Sequence, residues 1–200
     1  DPDNPKFLWK RDNTSPGYGE LGQTWTEPKA RKIRASSNPV LIFGGGYDPA
    51  VEDLDPVPSG VTNAMGRGIF VVDAITGNVL WQAGPAAPVT PSPGQVFKSV
   101  PGMTYAMPSD AAVLDRNSDG FADRLYVGDT GGNVWRVDLN DASPANWTVD
   151  KLAAVGFAQY GTVDSRRKFL YAPDVVFGSD ANGAFEAVLI GEVTASTRST

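Results

Sequence analysis

A short apolar strand pattern recurs three times along this chain, and the recurrence restricts the fold to architectures built from similar sheets. Each copy is a run of β-branched, apolar or aromatic residues that ends on a glycine-containing corner, which is typical of a β-strand entering a turn. The three copies are Val40–Gly45, Leu125–Asp129 and Val188–Glu192. The sequence therefore predicts an all-β protein made of repeated units.

Further strands surround these copies. The stretches 108–114 and 173–177 predict a strand before the second and third copies, and 23–28 predicts one before the first. After the first copy, residues 68–81 predict a hairpin that turns at Thr76-Gly77-Asn78, and residues 131–138 repeat part of it.

Units of four strands repeated in this way predict a modified β-propeller, and a β-sandwich is the alternative. The stretch from Tyr47 to Met65, rich in Asp, Pro and Gly, is expected to be an insertion between blades. Phe7-Leu8-Trp9 is similar to Val79-Leu80-Trp81, and the chain stops soon after the third copy. Because propellers have about four to eight blades, we expect residues 1–200 to be part of one larger propeller domain. They would contain about two blades plus partial blades, with both ends falling mid-blade.

The segment from Asp115 to Asp123 predicts an inserted calcium-binding loop resembling that of an EF-hand. It carries oxygen-bearing side chains at alternate positions, and Gly120 permits the sharp turn. Calcium takes about six to eight oxygen ligands, so water would complete the shell. The expected ligands are the side chains of Asp115, Asn117, Asp119 and Asp123 and the backbone carbonyl of Phe121. The alternative is a metal-free turn, since turns also favour Asp, Asn and Gly.

This loop differs from an EF-hand on its C-terminal side. Tyr126 stands where the EF-hand has its closing glutamate, and residues 124–128 have the composition of a strand rather than a helix. Three carboxylates partly offset by Arg116 and Arg124 predict a calcium Kd on the order of 10⁻⁶ to 10⁻³ M. A weak site of this kind suits a compartment outside the cytosol, where calcium is abundant.

Composition excludes several classes of function. The chain has no Cys and no His, which excludes thiol nucleophiles, Ser-His-Asp triads and imidazole proton transfer. Its net charge of −6 argues against nucleic acid as a partner. No run of apolar residues is long enough to predict a transmembrane segment.

Other charged and aromatic residues have simpler interpretations. Asp48, Glu52, Asp53 and Asp55 are expected to form a solvated loop rather than a second metal site, and Arg166-Arg167-Lys168 a solvated hairpin end. The five Trp residues are expected to fill interfaces between blades.

Four segments together resemble the PilY family of type IV pilus biogenesis factors and pilus tip adhesins. These segments are 21–28, 43–48, 71–77 and 119–138, of which the last is the longest and most specific. The resemblance implies a C-terminal β-propeller domain with an inserted calcium loop, whose ligands match Asp115, Asn117, Asp119, the Phe121 carbonyl and Asp123. Those residues are the ones that the loop spacing also selects.

The resemblance also implies a function without catalysis. It implies control of pilus extension against retraction, twitching motility, attachment to host or abiotic surfaces with a role in virulence, and contact with pilus components such as minor pilins. The implied locations are the pilus tip outside the cell, the periplasm and the outer membrane. The chain has no Arg-Gly-Asp tripeptide, so integrin-mediated attachment is not carried over.

Two alternatives remain open. Ala74-Ile75-Thr76-Gly77 followed by Trp81 also resembles the repeat of quinoprotein dehydrogenase propellers, in which calcium supports a quinone. That repeat reports how blades are joined and carries no chemistry by itself. The other alternative is a periplasmic, calcium-stabilised scaffold unrelated to pili.

Overall fold

The computed structural model describes residues 3–54, 60–155 and 167–194. These residues are organised almost entirely as β-strands, with a four-residue helix and a three-residue 3-10 turn as the helical elements among them. The all-β prediction is therefore confirmed. The described residues contain no helix with the length and apolar character needed to span a membrane.

Sheet 1 has five strands in sequential order. Its first four strands are antiparallel and the fifth runs parallel to the fourth. The strands are β1 (Lys29–Arg31), β2 (Val40–Gly44), β3 (Ile69–Asp73), β4 (Val79–Gly84) and β5 (Val96–Ser99). The short helix α1 (Pro49–Glu52) lies between β2 and β3.

Sheet 2 has four antiparallel strands, again in sequential order. They are β6 (Ala112–Leu114), β7 (Arg124–Gly128), β8 (Asn133–Asp138) and β9 (Thr148–Ala154), with the 3-10 turn Pro144–Asn146 before β9. The remaining strands are β10 (Arg167–Lys168), β11 (Asp174–Asp180), β12 (Gly183–Leu189) and β13 (Val193–Thr194). β11 and β12 form a hairpin, and β10 pairs with β13.

The predicted repeat is present in the two sheets. β1 to β4 and β6 to β9 follow the same antiparallel order, and the first two predicted copies become β2 and β7, the second strand of each unit. Both units also have a register shift between the third and fourth strands, at Val71/Val72 in sheet 1 and Val134/Trp135 in sheet 2. The third copy is only partly a strand, since β12 ends at Leu189.

Three local predictions need correction, although the predicted hairpin over 68–81 is confirmed as β3 and β4. Residues 131–132 join β7 to β8, so their turn is not equivalent to the Thr76–Asn78 turn, which joins a third strand to a fourth. The insertion 47–65 lies inside sheet 1, between β2 and β3. The strand before β2 begins at Lys29 and not within 23–28, where Gln23 makes a single bridge to Tyr47.

The main core lies between the two sheets. Alternate residues of β2, such as Ile42, share one apolar cluster with Leu125 and Val127 of β7. The intervening residue Phe43 points to the opposite face of sheet 1, where it clusters with Tyr18. Sheet 1 is therefore covered on both faces, which explains why every residue of β3 is buried.

Three of the five tryptophans fill this core as expected. Trp81, Trp135 and Trp147 are almost completely buried, and the Trp81 and Trp147 rings lie 5.4 Å apart between centroids. Trp25 departs from the expectation, because it is 63% exposed and stacks on Tyr47.

The acidic loop after β2 is solvated only in part, because Asp53 is exposed as predicted whereas Asp48 and Glu52 are buried. Asp48 is buried and caps α1, accepting the Ala50 N–H at 3.2 Å. The buried Glu52 carboxylate lies 2.7 Å from the Lys168 ammonium and accepts the Thr130 hydroxyl at 2.8 Å. Lys168 is thus an internal partner rather than part of a solvated hairpin end. Asp55 and Arg166 lie outside the described residues.

Candidate metal centre

The predicted calcium loop connects β6 to β7 at one end of sheet 2. The Asp123 N–H donates to the Leu114 carbonyl at 2.8 Å, which closes the loop across its base. The Leu139 N–H donates to the Asp123 carbonyl at 2.6 Å, and the Ala122 N–H donates to the Lys32 carbonyl at 2.8 Å. The second half of the loop is therefore tied both to sheet 2 and to the β1–β2 connection of sheet 1.

Two residues of the loop have backbone φ angles in the left-handed region. Gly120 has a φ of 90°, a conformation that glycine adopts without steric cost. Ser118 has a φ of 60° and is the one non-glycine residue with positive φ in the described part of the chain. These conformations bend residues 115–121 into a compact curl.

The side chains at the first three predicted ligand positions point into this curl. Asp115 accepts the N–H groups of Asp119 and Gly120, the latter at 2.7 Å. Asn117 Oδ1 accepts the Asp119 N–H at 3.1 Å, and Asp119 Oδ1 accepts the Phe121 N–H at 3.0 Å. The oxygens predicted to bind an ion thus converge on the inner backbone of one turn.

Asp123 differs from the other carboxylates because it is 4% exposed. Its Oδ2 accepts the Arg116 N–H at 2.9 Å. Its Oδ1 is buried and has no hydrogen-bond partner among the described residues. A buried carboxylate oxygen without a donor is costly, by about 1 to 3 kcal/mol or more for a charged group, and a bound cation would satisfy it.

The structure does not assemble these carboxylates into a metal-binding group. Within residues 3–54, 60–155 and 167–194, no three acidic, His or Cys side chains lie close enough together to hold a metal ion. Asp115 and Asp119 instead accept backbone N–H groups. The ligand set remains the prediction made from the spacing of the motif.

A cation from sheet 1 reaches the loop. Arg34, in the β1–β2 connection, forms an ion pair with Asp119 Oδ2. Partial loss of hydration raises the pKa of Asp119, but the hydrogen bonds from Phe121 and Asn117 and the charge of Arg34 lower it further, so the net pKa lies below the ordinary value. Asp119 is therefore held in the ionised form that a cation requires.

The two arginines that flank the loop reach the β11–β12 hairpin. Arg116 pairs with Glu186 of β12, and Arg124 lies 3.1 Å from both oxygens of the same carboxylate. The Tyr126 hydroxyl also donates to Glu186. Burial raises the pKa of Glu186, but these hydrogen bonds outweigh it and leave the pKa below its ordinary value.

We expect the Glu186→Gln variant to lose about 1.5 to 3 kcal/mol of stability at pH 7, because Glu186 accepts charge-assisted hydrogen bonds. A depressed folded pKa gives stability that is present above the unfolded pKa and lost as pH falls through the folded value. The difference from wild type should therefore shrink below pH 4.5, the ordinary value for this carboxyl. Urea unfolding in chelator between pH 7 and 3 measures it.

The matched control is Glu27→Gln, whose carboxylate is 78% exposed beside Lys29. An exposed pair contributes about 0 to 1 kcal/mol, so this variant should unfold nearly as wild type does. Equal losses in the two variants would contradict a special role for Glu186.

Comparison with known proteins shows what this chain is similar to. No protein-family model matches it. It is 26% identical over 154 residues to the type IV pilus biogenesis factor PilY1 of Pseudomonas aeruginosa (strain UCBPP-PA14), covering 74% of this chain and 11% of that protein. It is also 26% identical over 143 residues to the PilY1 homolog of Xylella fastidiosa (strain Temecula1), covering 71% of this chain and 8% of the homolog.

A solved structure matches over nearly the whole chain. The crystal structure of the P. aeruginosa PilY1 C-terminal domain aligns with a TM-score of 0.61 and 23% identity, covering 97% of this chain and 36% of that domain. In sequence the chain is similar to PilY1 and its homolog, and in fold it is similar to the PilY1 C-terminal domain. The PilY resemblance found in the sequence is thereby confirmed. The chain spans about a tenth of the length of the curated relatives, at 11% and 8%.

Sequence reasoning missed two residues of this centre, Arg34 and Glu186. Neither belongs to the loop motif, and they lie 85 and 70 residues from the loop residues that they contact. No local spacing could have shown these contacts, because both depend on how sheet 1 and the hairpin pack beside sheet 2.

Proposed function

We propose that this chain is part of a calcium-binding β-propeller domain in a type IV pilus biogenesis factor. Two observations support the propeller. The two sheets share the strand order expected of consecutive blades, and they stack through a common apolar core. The described residues include no closed ring, so closure would require further blades. The names of the PilY1 relatives support the role in pilus biogenesis.

The calcium proposal is carried by one observation, the buried Oδ1 of Asp123 that has no donor among the described residues. The chemistry of the neighbouring groups fits a hard cation, since all are oxygen donors. Asp115, Asn117, Asp119 and Asp123 would hold calcium with their side chains, and Phe121 with its carbonyl. Bound calcium would add positive charge beside the three carboxylates of this short loop, of which Asp119 already pairs with Arg34.

The loop contacts sheet 1, sheet 2 and the β11–β12 hairpin, so an ion bound in the loop would act on all three. It is tied to sheet 1 through Lys32, to sheet 2 through Leu114 and to the hairpin through Arg116. An ion that orders the loop would stabilise the relative positions of these elements. In the full-length protein we propose that this order favours pilus extension over retraction, with consequences for twitching motility and surface attachment.

The proposed role is non-enzymatic, with pilus components such as minor pilins as partners. The proposed locations are the pilus tip, the periplasm and the outer membrane. The hairpin that resembles quinoprotein repeats has a packing role here, because its Trp81 is buried against Trp147. That contact joins the two sheets and supports the architectural interpretation of the motif.

We expect the Asp123→Ala variant to lose calcium binding, because it removes the buried carboxylate. Isothermal titration with calcium chloride should give a Kd on the order of 10⁻⁶ to 10⁻³ M for the wild-type chain and no saturable heat for the variant. Asp150→Ala is the control, since that carboxylate lies on β9 and pairs with Arg136. Undiminished affinity in Asp123→Ala would refute the assignment.

The same variant tests the pilus role when it is introduced into the full-length protein. Surface pili should be fewer than in wild type when the retraction motor is present, and restored when the motor is deleted. This pattern is expected because an ordered loop would oppose retraction. Wild-type pilus numbers in both backgrounds would show that the loop has no part in pilus extension.

A further inference from the structure

Arg34 places a positive charge of sheet 1 against the loop of sheet 2. Its Nη2 forms the ion pair with Asp119 Oδ2, and its Nε donates to Asn140 Oδ1 at 3.2 Å. Its guanidinium carbon lies 5.3 Å from the centroid of the Phe121 ring. Three contacts with sheet 2 residues therefore hold this side chain beside the candidate metal ligands.

We propose that Arg34 is an internal counter-cation of the loop that competes with calcium for Asp119 and so sets the calcium affinity. This inference rests on the proposed calcium site. Asp119 Oδ1 already accepts the Phe121 N–H, and Arg34 takes Oδ2. An ion that binds through Asp119 must displace the guanidinium or lie beside a like charge, and either requirement weakens its binding.

The ion pair between Arg34 and Asp119 is weak enough for calcium to replace Arg34. The side chains of Arg34 and Asp119 are 35% and 31% exposed, and ion pairs of this exposure are weak. A cleft of about 690 Å³ adjoins the pair and gives the arginine room to move. The cleft is lined by residues 32–37, Phe121 and Ala142.

Exchange would leave the two sheets connected. The hydrogen bond from the Ala122 N–H to the Lys32 carbonyl does not involve the Arg34 side chain. Calcium binding in sheet 2 would thus release one side chain of sheet 1 while the backbone contact persists. The freed Arg34 side chain would then distinguish the β1–β2 connection of the calcium-bound protein from that of the calcium-free protein.

The test compares Arg34→Gln with Arg31→Gln by calorimetric titration with calcium chloride at low ionic strength. Arg31 is the matched control, because it is an exposed arginine of β1 whose Nη1 donates to the Ala30 carbonyl. Arg34→Gln should tighten calcium binding by about fivefold, the factor equivalent to one exposed ion pair. Arg31→Gln should change it by less than about twofold, since distant exposed charges are screened.

A second measurement separates competition from a general charge effect. In chelator, Arg34→Gln should melt at a lower temperature than Arg31→Gln, because its loop has lost the counter-cation. Calcium should then raise the melting temperature of Arg34→Gln by more than it raises that of wild type, because the variant binds calcium more tightly.

Each outcome has one meaning. No saturable heat in the wild-type chain would refute the calcium site itself. Wild-type binding with equal affinity in Arg34→Gln would leave the calcium site intact and refute competition by Arg34. Weaker binding in Arg34→Gln would also overturn the proposal, because Arg34 would then position Asp119 for the ion.

Discussion

Replacing Asp129 by alanine is expected to lower the free energy of unfolding by about 3 to 5 kcal/mol. Asp129 is fully buried directly after β7, and its carboxylate accepts backbone N–H groups of Gly131 and Asn133, each at 2.9 Å. It also accepts the Asn133 side-chain amide and the Trp135 indole N–H, both at 2.8 Å. Alanine would leave all these buried donors without their acceptor.

The environment of Asp129 explains why the loss should be large. Burial raises the pKa of Asp129, while the N–H groups that surround the carboxylate act in the opposite direction. The side chain fixes the β7–β8 turn and the indole of a core tryptophan at once. Its removal therefore affects the centre of sheet 2 rather than one surface turn.

Asp141→Ala is the control for this variant. Asp141 also accepts a backbone N–H, from Ser143, and a side-chain amide, from Asn146, but it is exposed. Water can replace the lost acceptor there, so the expected loss is much smaller than for Asp129→Ala. Urea unfolding of both variants at pH 7 measures the difference, and equal losses would contradict the role assigned to burial.

The strands of this fold could be predicted because they depend on local patterns. The continuous apolar run of β2 places apolar side chains on both faces of sheet 1, and both faces are covered. The Thr76–Asn78 turn fixes the β3–β4 hairpin. The sequence predicts the insertion 47–65 in the wrong connection, because loop composition does not show which strands a loop joins. Only the pairing of β2 with β3 places it inside the sheet.

Charged residues were predicted less well, since their partners are distant in sequence. Glu52 and Lys168 are residue types that usually lie on the surface. The Lys168 ammonium nevertheless donates to the Glu52 carbonyl, although the two residues are 116 positions apart in sequence. The buried state of such a pair depends on the contact of the insertion with β10. An isolated sequence gives no signal for it beyond the charges themselves.

For the calcium loop, the sequence predicts the shape of the backbone but not the burial of its side chains. The spacing of Asp115, Asn117 and Asp119 predicts a curled loop between strands, and the structure has one between β6 and β7. The same spacing gives Asp123 no special place among the four side chains. Its carboxylate is buried at the base of the loop, where its backbone is hydrogen-bonded to Leu114 and Leu139.

Removing the Trp81 side chain is the second substitution with a large expected effect. Trp81 is fully buried in β4, belongs to the core between the sheets and touches Trp147, which precedes β9. We expect Trp81→Ala to cost about 3 to 5 kcal/mol, because the cavity lies in a close-packed interface that cannot collapse fully. Thermal and urea unfolding measure the loss.

Two further variants identify its cause. Trp25→Ala removes an indole that is 63% exposed and should cost less than about 1 kcal/mol. Trp81→Phe keeps an aromatic ring in the core and removes an indole N–H that is buried without an acceptor among the described residues. Its expected cost is below about 1.5 kcal/mol, because the transfer energy that is lost is partly offset by removal of the unsatisfied donor. If Trp81→Phe were as destabilising as Trp81→Ala, the proposal that Trp81 stabilises the protein by filling the space between the sheets would be wrong.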